Sequence, residues 1–274
     1  MPESPEVQAL VEFLDERIRG RAIAAVDIDE FRVVKTRERP PASLVGARIE
    51  GLSRFGKHVG FDTTAGWLML GLGRNGWIRW LDAGEPPSDE PVPEVARIVL
   101  DDGAAMRIVD TGDFLAVTLS VVDAPRDLSG IAALGPDPLS ADFTREEFDR
   151  ALGARRKQIK ALLQEQSSLA GIGNAYSDEI LHRARIAPAV HAALLGDDER
   201  ERLFQATVDV LRGAAADRRG VPPHELKQAK VAAMAVHGRG GEPCPVCGTT
   251  ILDRTFGGAS AQFCPHCQPE HSAA

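Results

Sequence analysis

The sequence lacks any apolar run that could cross a membrane. One of its longest apolar stretches, residues 67–70, is far shorter than the ~20 residues of a transmembrane helix. Pro2, Glu3 and Glu6 open an acidic N-terminus, whereas a secretory signal peptide begins with a basic segment. The excess of arginine over lysine is typical of a G+C-rich bacterial genome. We therefore expect a bacterial cytoplasmic protein with no membrane partner.

Cysteine and excess positive charge are also scarce. The chain has only four cysteines in 274 residues and a net charge of −8. The few cysteines of a reducing compartment exclude a disulfide framework, and the net charge argues against indiscriminate binding of nucleic acid. Residues 150–240 are an exception, because they carry 15 basic and 10 acidic residues. A polyanion could dock on this segment, although a solvated helical surface explains its charge equally well.

Hydrophobic periodicity predicts two different halves joined by a linker. A helix over 5–19 has one apolar stripe, with Ser4 as its N-cap and Pro5 at its first position. Short β-rich runs then predict a sandwich or barrel, at 22–28, 33–35, 48–53, 58–62, 67–72, 77–80, 97–100, 105–109 and 115–121. Residues 134–139 break any periodic element. Helices are predicted over 143–152, 158–164, 175–184, 197–216 and 223–236.

All four cysteines lie in two C-x-x-C pairs near the C-terminus, namely Cys244 with Cys247 and Cys264 with Cys267. The sixteen residues between the pairs are typical of a four-thiolate zinc ribbon. Four sulfurs complete a tetrahedral shell, so we predict one structural Zn²⁺, with His266 as a bystander inside the second pair. The surroundings of a thioredoxin-like redox motif are absent.

Two further features could carry chemistry. Residues 170–174 read Ala-Gly-Ile-Gly-Asn, and such glycines let backbone N–H groups approach an anion at a helix start. A tight helix–helix connection is the simpler explanation of this turn. If Met1 is removed, Pro2 presents a secondary amine that can attack an aldehydic sugar carbon. Glu3 beside it could protonate a leaving oxygen, although an N-terminal Pro-Glu alone is weak evidence.

Several motifs in one order carry a family resemblance: 2–7, Gly56-Lys57, 134–138, Lys160 with 171–179, 236–239 and the four-cysteine finger. From residue 2 to about residue 268 the chain resembles the formamidopyrimidine-DNA glycosylase / endonuclease VIII (Fpg/Nei) family. The resemblance implies an α+β multidomain fold. Its parts are an N-terminal helix plus β-sandwich (1–133), a linker (134–140), a helical helix–two-turn–helix domain (141–237), a C-terminal four-Cys zinc finger (238–268) and a tail (269–274).

The resemblance also implies an activity. The protein is expected to be a nucleoid-associated monomer, a DNA glycosylase with AP lyase activity that repairs damaged DNA around a flipped-out nucleotide. Pro2 matches the nucleophile at the sugar C1′, Glu3 the general acid that opens the sugar ring, and Glu6 a supporting residue. Base loss through an imine is followed by β,δ-elimination. Three positions, Lys57, Lys160 and Asn174, match residues that hold the strand near the lesion, and Lys57 is also counted among the catalytic residues. Without the resemblance, the two lysines would be interpreted as solvated side chains and Asn174 as a helix cap.

The sequence departs from the family pattern at the residues that contact the lesion. Ala259 stands where the finger usually has an arginine that grips phosphates. Gly71 replaces a phosphate-binding histidine, Arg74 a void-filling methionine, and Gly112 the arginine that pairs with the orphaned base. Phe114 survives as a wedge between bases, and Arg74 could enter the DNA helix in place of the lost residues.

These losses remove about two charge-assisted phosphate contacts, worth roughly 1.5–3 kcal/mol each. The amine chemistry at Pro2 needs neither contact, so we expect abasic-site lyase activity more firmly than excision of 8-oxoguanine. The alternative is a non-catalytic damaged-DNA-binding protein on the same scaffold. The enzyme is favoured by five retained residues, namely Pro2, Glu3, Glu6, Lys57 and Asn174. A zinc-ribbon regulatory protein without this ancestry is a third, weaker alternative.

Overall fold

The computed structural model describes residues 1–85, 93–256 and 259–269, which fold into two compact units. The first unit consists of Met1–Pro2, Glu6–Ala132 and Arg218–Lys227. The remainder of the chain, beginning with Glu3–Pro5, forms the second unit. Helix α1 (Ser4–Ile18) confirms the first predicted helix, and its apolar stripe is buried as expected, at Val7, Leu10, Val11, Leu14 and Ile18.

Two four-stranded antiparallel sheets form most of the first unit. Their strand orders are β1-β6-β7-β5 and β2-β3-β4-β8. The strands are β1 (Ile23–Ile28), β2 (Ile49–Phe55), β3 (His58–Thr63), β4 (Gly66–Gly71), β5 (Gly76–Leu81), β6 (Glu94–Leu100), β7 (Ala105–Asp110) and β8 (Thr118–Val122). Both sheets and α1 contribute to one apolar core, which confirms the predicted helix-plus-sandwich fold.

One predicted strand, at 33–35, is wrong. The chain instead forms a 3-10 turn at Phe31–Val33, after which Val34 makes only a single bridge to Leu119. The carboxylate of Glu30 accepts a hydrogen bond from the backbone N–H two residues later, at 3.1 Å, and so caps the turn. A side-chain cap of this kind competes with strand pairing, and the pattern of apolar residues does not reveal such a cap.

The second unit is helical, apart from the finger. After the short α2 (Ser129–Ala132) of the first unit come α3 (Arg145–Leu152), α4 (Ile159–Leu163), α5 (Asn174–Ala184), α6 (Asp197–Asp217) and α7 (Leu226–Ala233). Helices α3 to α6 surround the second apolar core. Helix α7 is shorter than the predicted 223–236, because Pro222 and Pro223 are followed by a turn rather than helix. None of the helices in the described ranges combines the length and apolarity needed to span a bilayer.

The finger is a two-stranded antiparallel hairpin of β9 (Leu252–Phe256) and β10 (Ala259–Phe263). Its apolar cluster is small and includes two of the four cysteines, at Val236, Cys244, Ile251 and Cys264. So few apolar side chains supply little folding free energy by burial alone. The stability of this hairpin therefore depends on what the cysteines bind.

Candidate active site and metal centre

The four finger cysteines form a metal-binding cluster. Their sulfur atoms all lie within 4.8 Å of one another. The Sγ atoms of Cys247 and Cys264 are 3.4 Å apart, and those of Cys244 and Cys267 are 4.0 Å apart. Tetrahedral Zn²⁺ with Zn–S bonds of about 2.3 Å places its sulfurs about 3.8 Å apart, so these residues fit the ion. The exposed His266 is not part of the cluster.

Two buried side chains, one of them from outside the finger, support this cluster. The Nε2 atom of His182, in α5, lies 3.4 Å from the sulfur of Cys244. The buried amide of Gln268 accepts the backbone N–H of Cys264 at 3.0 Å and donates to the carbonyl oxygen of Ile186 at 2.9 Å. Partners of metal ligands commonly orient them in this way. The sequence analysis missed both residues, because neither has metal-ligand spacing.

Glu3 is bound at the N-terminus of α5. Its carboxylate accepts backbone N–H bonds from Gly173, from Ala175 at 3.1 Å and from Tyr176 at 3.4 Å. The ammonium of Lys230, from α7, lies 3.0 Å from the same carboxylate. A helix N-terminus and a cation both favour the ionised form of a carboxylate. The anion at the predicted Gly-Ile-Gly turn is thus the protein's own side chain.

The two glycines of this turn are required by close approach. A Cβ atom on Gly173 would lie 2.6 Å from the side-chain carboxyl carbon of Glu3. Gly171 has φ +88°, and a Cβ atom there would lie 2.5 Å from the Cβ of Ser4. The backbone N–H of Ser4 donates to the carbonyl oxygen of Gly171 at 3.0 Å. The turn therefore places the residue after Pro2 on the helix end.

Lys160 lies inside the second unit rather than on its surface. It is 3% exposed and forms an ion pair with Asp178. Its ammonium also donates to Ser177 Oγ at 3.2 Å and to the carbonyl oxygen of Asn174 at 3.3 Å. Burial lowers the pKa of Lys160, and Asp178 opposes that shift. These contacts tie α4 to the first turn of α5, the same turn that holds Glu3.

Asn174 is half-buried at the start of α5. Its Oδ1 accepts from the amide of Gln164 at 3.1 Å, and its Nδ2 donates to Ser260 Oγ at 3.3 Å. The side chain therefore connects α4, α5 and the finger strand β10. Ala259, the position of the missing finger arginine, opens this strand opposite Phe256.

The predicted motifs at 176–179 and 236–239 contact each other. The carboxylate of Glu179 accepts three consecutive backbone N–H groups, from Ala235 at 2.8 Å, Val236 at 2.9 Å and His237 at 2.8 Å. His237 Nδ1 lies 2.8 Å from Asp178. Two adjacent acids of α5 thus hold the segment that leads into the finger.

Glu6, in the first unit, is fully buried and faces Arg218 at 3.0 Å. Arg218 is itself 2% exposed. Removing one member of a buried pair leaves the other charge desolvated, so this contact constrains α1 strongly. The sequence analysis missed Arg218, because it lies 212 positions from Glu6 and no local pattern marks it.

A cavity of about 670 Å³ in the first unit contains several of the predicted residues. Its lining includes Met1, Lys57, Arg74 and Phe114. Phe114 is 87% exposed, which suits a side chain that inserts into a partner. The first unit therefore brings Met1, Lys57, Arg74 and Phe114 to one cavity.

An imidazole covers Gly71 inside this cavity. His58 is the antiparallel partner of Gly71 across β3 and β4. A Cβ atom on Gly71 would lie 3.1 Å from His58 Cδ2 and 2.5 Å from Thr118 Oγ1. Burial lowers the pKa of His58, and Lys57 adds to that shift. The histidine missing at position 71 could therefore not be restored without displacing its neighbours.

A buried carboxylate at the third residue, a helix–two-turn–helix region and a four-cysteine finger define a class of DNA base-excision-repair enzyme. Three family models match this chain: the formamidopyrimidine-DNA glycosylase N-terminal domain at 1–117, its H2TH domain at 134–222, and the zinc finger found in FPG and IleRS at 241–269. The chain belongs to the formamidopyrimidine-DNA glycosylase (Fpg/Nei) family. The finger match and the sulfur cluster together confirm the predicted structural zinc site.

Similarity to individual relatives extends over nearly the whole chain. The formamidopyrimidine-DNA glycosylase of Heliobacterium modesticaldum is 37% identical over 98% of this chain and 100% of its own length. The crystal structure of MutM (Fpg) from Thermus thermophilus is 31% identical with a TM-score of 0.81, covering 99% and 100%. The Lactococcus lactis enzyme bound non-covalently to AP-site DNA is 26% identical with a TM-score of 0.84, covering 98% and 100%.

Cys247→Ser should reduce bound zinc below one ion per chain and abolish DNA binding, while the first unit stays folded. The physical reason is that metal binding supplies the folding free energy of the finger. Metal analysis of freshly purified protein, together with a DNA-binding titration, checks both effects. His266→Ala is the matched control and should keep its zinc. Protein that is free of zinc before any mutation would contradict the assignment.

Gly71→His should destabilise the protein by about 1–3 kcal/mol, because the new side chain overpacks against His58 and Thr118. Chemical denaturation measures the change. Adding His58→Ala to this variant should recover part of the loss, since it vacates the occupied space. Gly213→Ala, where nothing lies within 4 Å, is the control and should not destabilise. Equal stability of Gly71→His and the wild type would show that the site is more open than described.

Proposed function

We propose that this protein is a bifunctional DNA glycosylase and AP lyase that acts through the N-terminal amine of Pro2. The observation that carries the proposal is the placement of Glu3. A carboxylate two residues from the chain start is buried on a helix N-terminus, which fixes the position of the preceding residue. The cavity supports the same proposal, because Met1, which precedes Pro2 in the chain, lines it together with Lys57.

The proposed reaction starts with the neutral Pro2 nitrogen and the sugar C1′ of a damaged nucleotide. A bond forms between these atoms as the C1′–base bond breaks and the base leaves with the bonding electrons. The bonded nitrogen releases its proton, Glu3 gives a proton to the ring oxygen as the C1′–oxygen bond breaks, and the nitrogen lone pair completes the iminium. Loss of protons from the sugar expels the 3′ phosphate and then the 5′ phosphate. Hydrolysis of the iminium returns the free amine.

The remaining predicted residues have supporting roles in this proposal. Lys57 and Arg74 supply positive charge in the cavity for a phosphate of the strand, and Phe114 acts as the wedge. Lys160 acts from inside, by holding the first turn of α5 through Asp178 and the Asn174 carbonyl. Asn174 is half-buried, whereas Lys160 is buried. We expect the protein to work as a monomer in the cytoplasm, at the nucleoid.

Substrate preference is the finer part of the proposal. Relatives with solved structures include complexes with Fapy-dG DNA and with AP-site DNA. This chain has Gly71, Gly112 and Ala259 in place of three side chains that contact DNA in the family pattern. We propose that abasic sites are processed more readily than oxidised purines, because amine attack on an abasic sugar requires fewer contacts to the base.

Borohydride reduction should link the protein, with Met1 removed, covalently to abasic DNA, because only an imine or iminium is trapped by reduction. Peptide mass analysis should place the adduct on Pro2. Retention of Met1, or any N-terminal tag, should abolish the adduct, since the nitrogen is then an amide. Glu3→Gln should impair excision of a damaged base more than cleavage at a preformed abasic site.

Lys57→Ala is the control for this trapping experiment, because Lys57 is a second amine in the cavity. The variant should bind DNA more weakly and still form the adduct. An adduct on Lys57, or one that forms with Met1 retained, would contradict the Pro2 mechanism. Damaged-DNA binding without any adduct would favour the non-catalytic alternative.

Ala259→Arg should tighten binding to lesion DNA and steepen its salt dependence by about one phosphate contact, a slope change of roughly 0.9. The reason is that one more cation would meet the strand and release one counterion. Binding titrations at several salt concentrations measure this slope. Val246→Arg, on the exposed first knuckle, adds the same charge elsewhere and should change the slope less. Unchanged binding would show that the finger hairpin does not approach the strand at this position.

A further inference from the structure

Lys230 is a buried lysine that the proposed reaction does not yet use. It lies in α7 and is 7% exposed. Its ammonium is 3.0 Å from Glu3 Oε1 and 4.7 Å from the centre of the Tyr176 ring. The contact with Glu3 is an ion pair, and the ammonium also lies over the aromatic face of Tyr176. Lys227, on the same helix, is exposed and serves as a comparison.

The surroundings of Glu3 in the second unit are consistently electropositive. The start of α5 directs backbone N–H groups at its carboxylate, and Lys230 approaches from α7. Lys160, from α4, is close enough to Glu3 for the carboxylate to influence its charge, although its direct partner is Asp178. Each of these groups stabilises a carboxylate and disfavours a neutral acid. A residue that must donate a proton is therefore held in the state that has no proton to give.

This conflict is resolved by the order of proton transfers. A neutral secondary amine that bonds to carbon becomes a positively charged nitrogen that still carries its hydrogen. That proton must leave before the nitrogen lone pair can form the iminium. An ionised carboxylate on the neighbouring residue can accept it and then pass it to the ring oxygen as the C1′–oxygen bond breaks. Glu3 must be ionised at the start for this sequence to run.

We propose that Lys230 is a positioning residue that keeps Glu3 ionised until the Pro2 nitrogen has bonded to the sugar. The inference rests on the proposed Pro2 chemistry and assigns a role to a residue outside it. Lys230 itself loses no proton. Its charge prevents Glu3 from picking up a proton from solvent before the amine attacks. Because the role is electrostatic, Lys230→Arg should preserve it and Lys230→Met should abolish it.

The first test measures Glu3 directly and needs no substrate. Glutamate labelled with ¹³C at the side-chain carboxyl gives an NMR signal that reports ionisation, and Glu3→Gln assigns the Glu3 signal. In Lys230→Met, Glu3 should become protonated at a pH at least about one unit higher than in the wild type. Lys230→Arg should restore the wild-type titration, and Lys227→Met should leave it unchanged. An unmoved Glu3 titration in folded Lys230→Met overturns the proposal.

The second test follows the reaction. The rate of borohydride-trapped adduct formation with abasic DNA is measured against pH. In Lys230→Met this rate should fall first at the acidic end of the pH range. The acidic limb of this profile should move to higher pH by the same amount as the Glu3 titration, while the rate at pH 8.5 should change by less than about threefold. Lys230→Arg should restore the profile. A loss of equal size at every pH indicates a merely structural role and overturns the proposal.

A double-mutant cycle separates Lys230 from effects on the amine itself. In a Glu3→Gln background, Lys230→Met should cause no further change in the pH profile, because the group it acts on no longer titrates. A further shift in that background shows that Lys230 acts on the amine directly, which contradicts the proposal. If the wild type forms no adduct, the proposed function fails, whereas the Glu3 titration still decides the role of Lys230.

Discussion

The contact between the Glu3 carboxylate and the first turn of α5 constrains more of this sequence than any other interaction in the second unit. It requires glycine at two positions, because a Cβ on Gly173 would meet Glu3 and one on Gly171 would meet Ser4. It also requires α5 to begin at the right place, which Lys160 secures through Asp178 and the Asn174 carbonyl. A charge buried this completely persists only with several matched partners.

The same helix connects Glu3 to the metal centre. Its first turn holds Glu3, its middle binds the segment before the finger through Glu179, and its last turn places His182 beside a cysteine sulfur. Loss of zinc would therefore disturb contacts along α5 rather than the finger alone. We infer that the metal stabilises the second unit as a whole.

The divergent positions of the first unit are accommodated locally. Gly71 is covered by His58 from the opposite strand and by Thr118. The space at Gly112 is limited by Asn75, whose side-chain nitrogen would lie 2.4 Å from a Cβ atom there. At these two positions neighbouring side chains occupy the space that a larger residue would need. Restoring the family residue at Gly71 or Gly112 would therefore require those neighbours to move.

The sequence alone determined the zinc ligands, the first helix and the order of the folded parts, because these depend on spacing and periodicity along the chain. The tertiary structure decided which charged side chains contact each other. Nothing local indicates that Arg218 faces Glu6 or that Lys230 faces Glu3, since these partners lie more than 200 positions apart. Lys160 likewise reads as a solvated lysine and is buried against Asp178. Burial is a property of the packed chain, and it sets the strength and role of a charge.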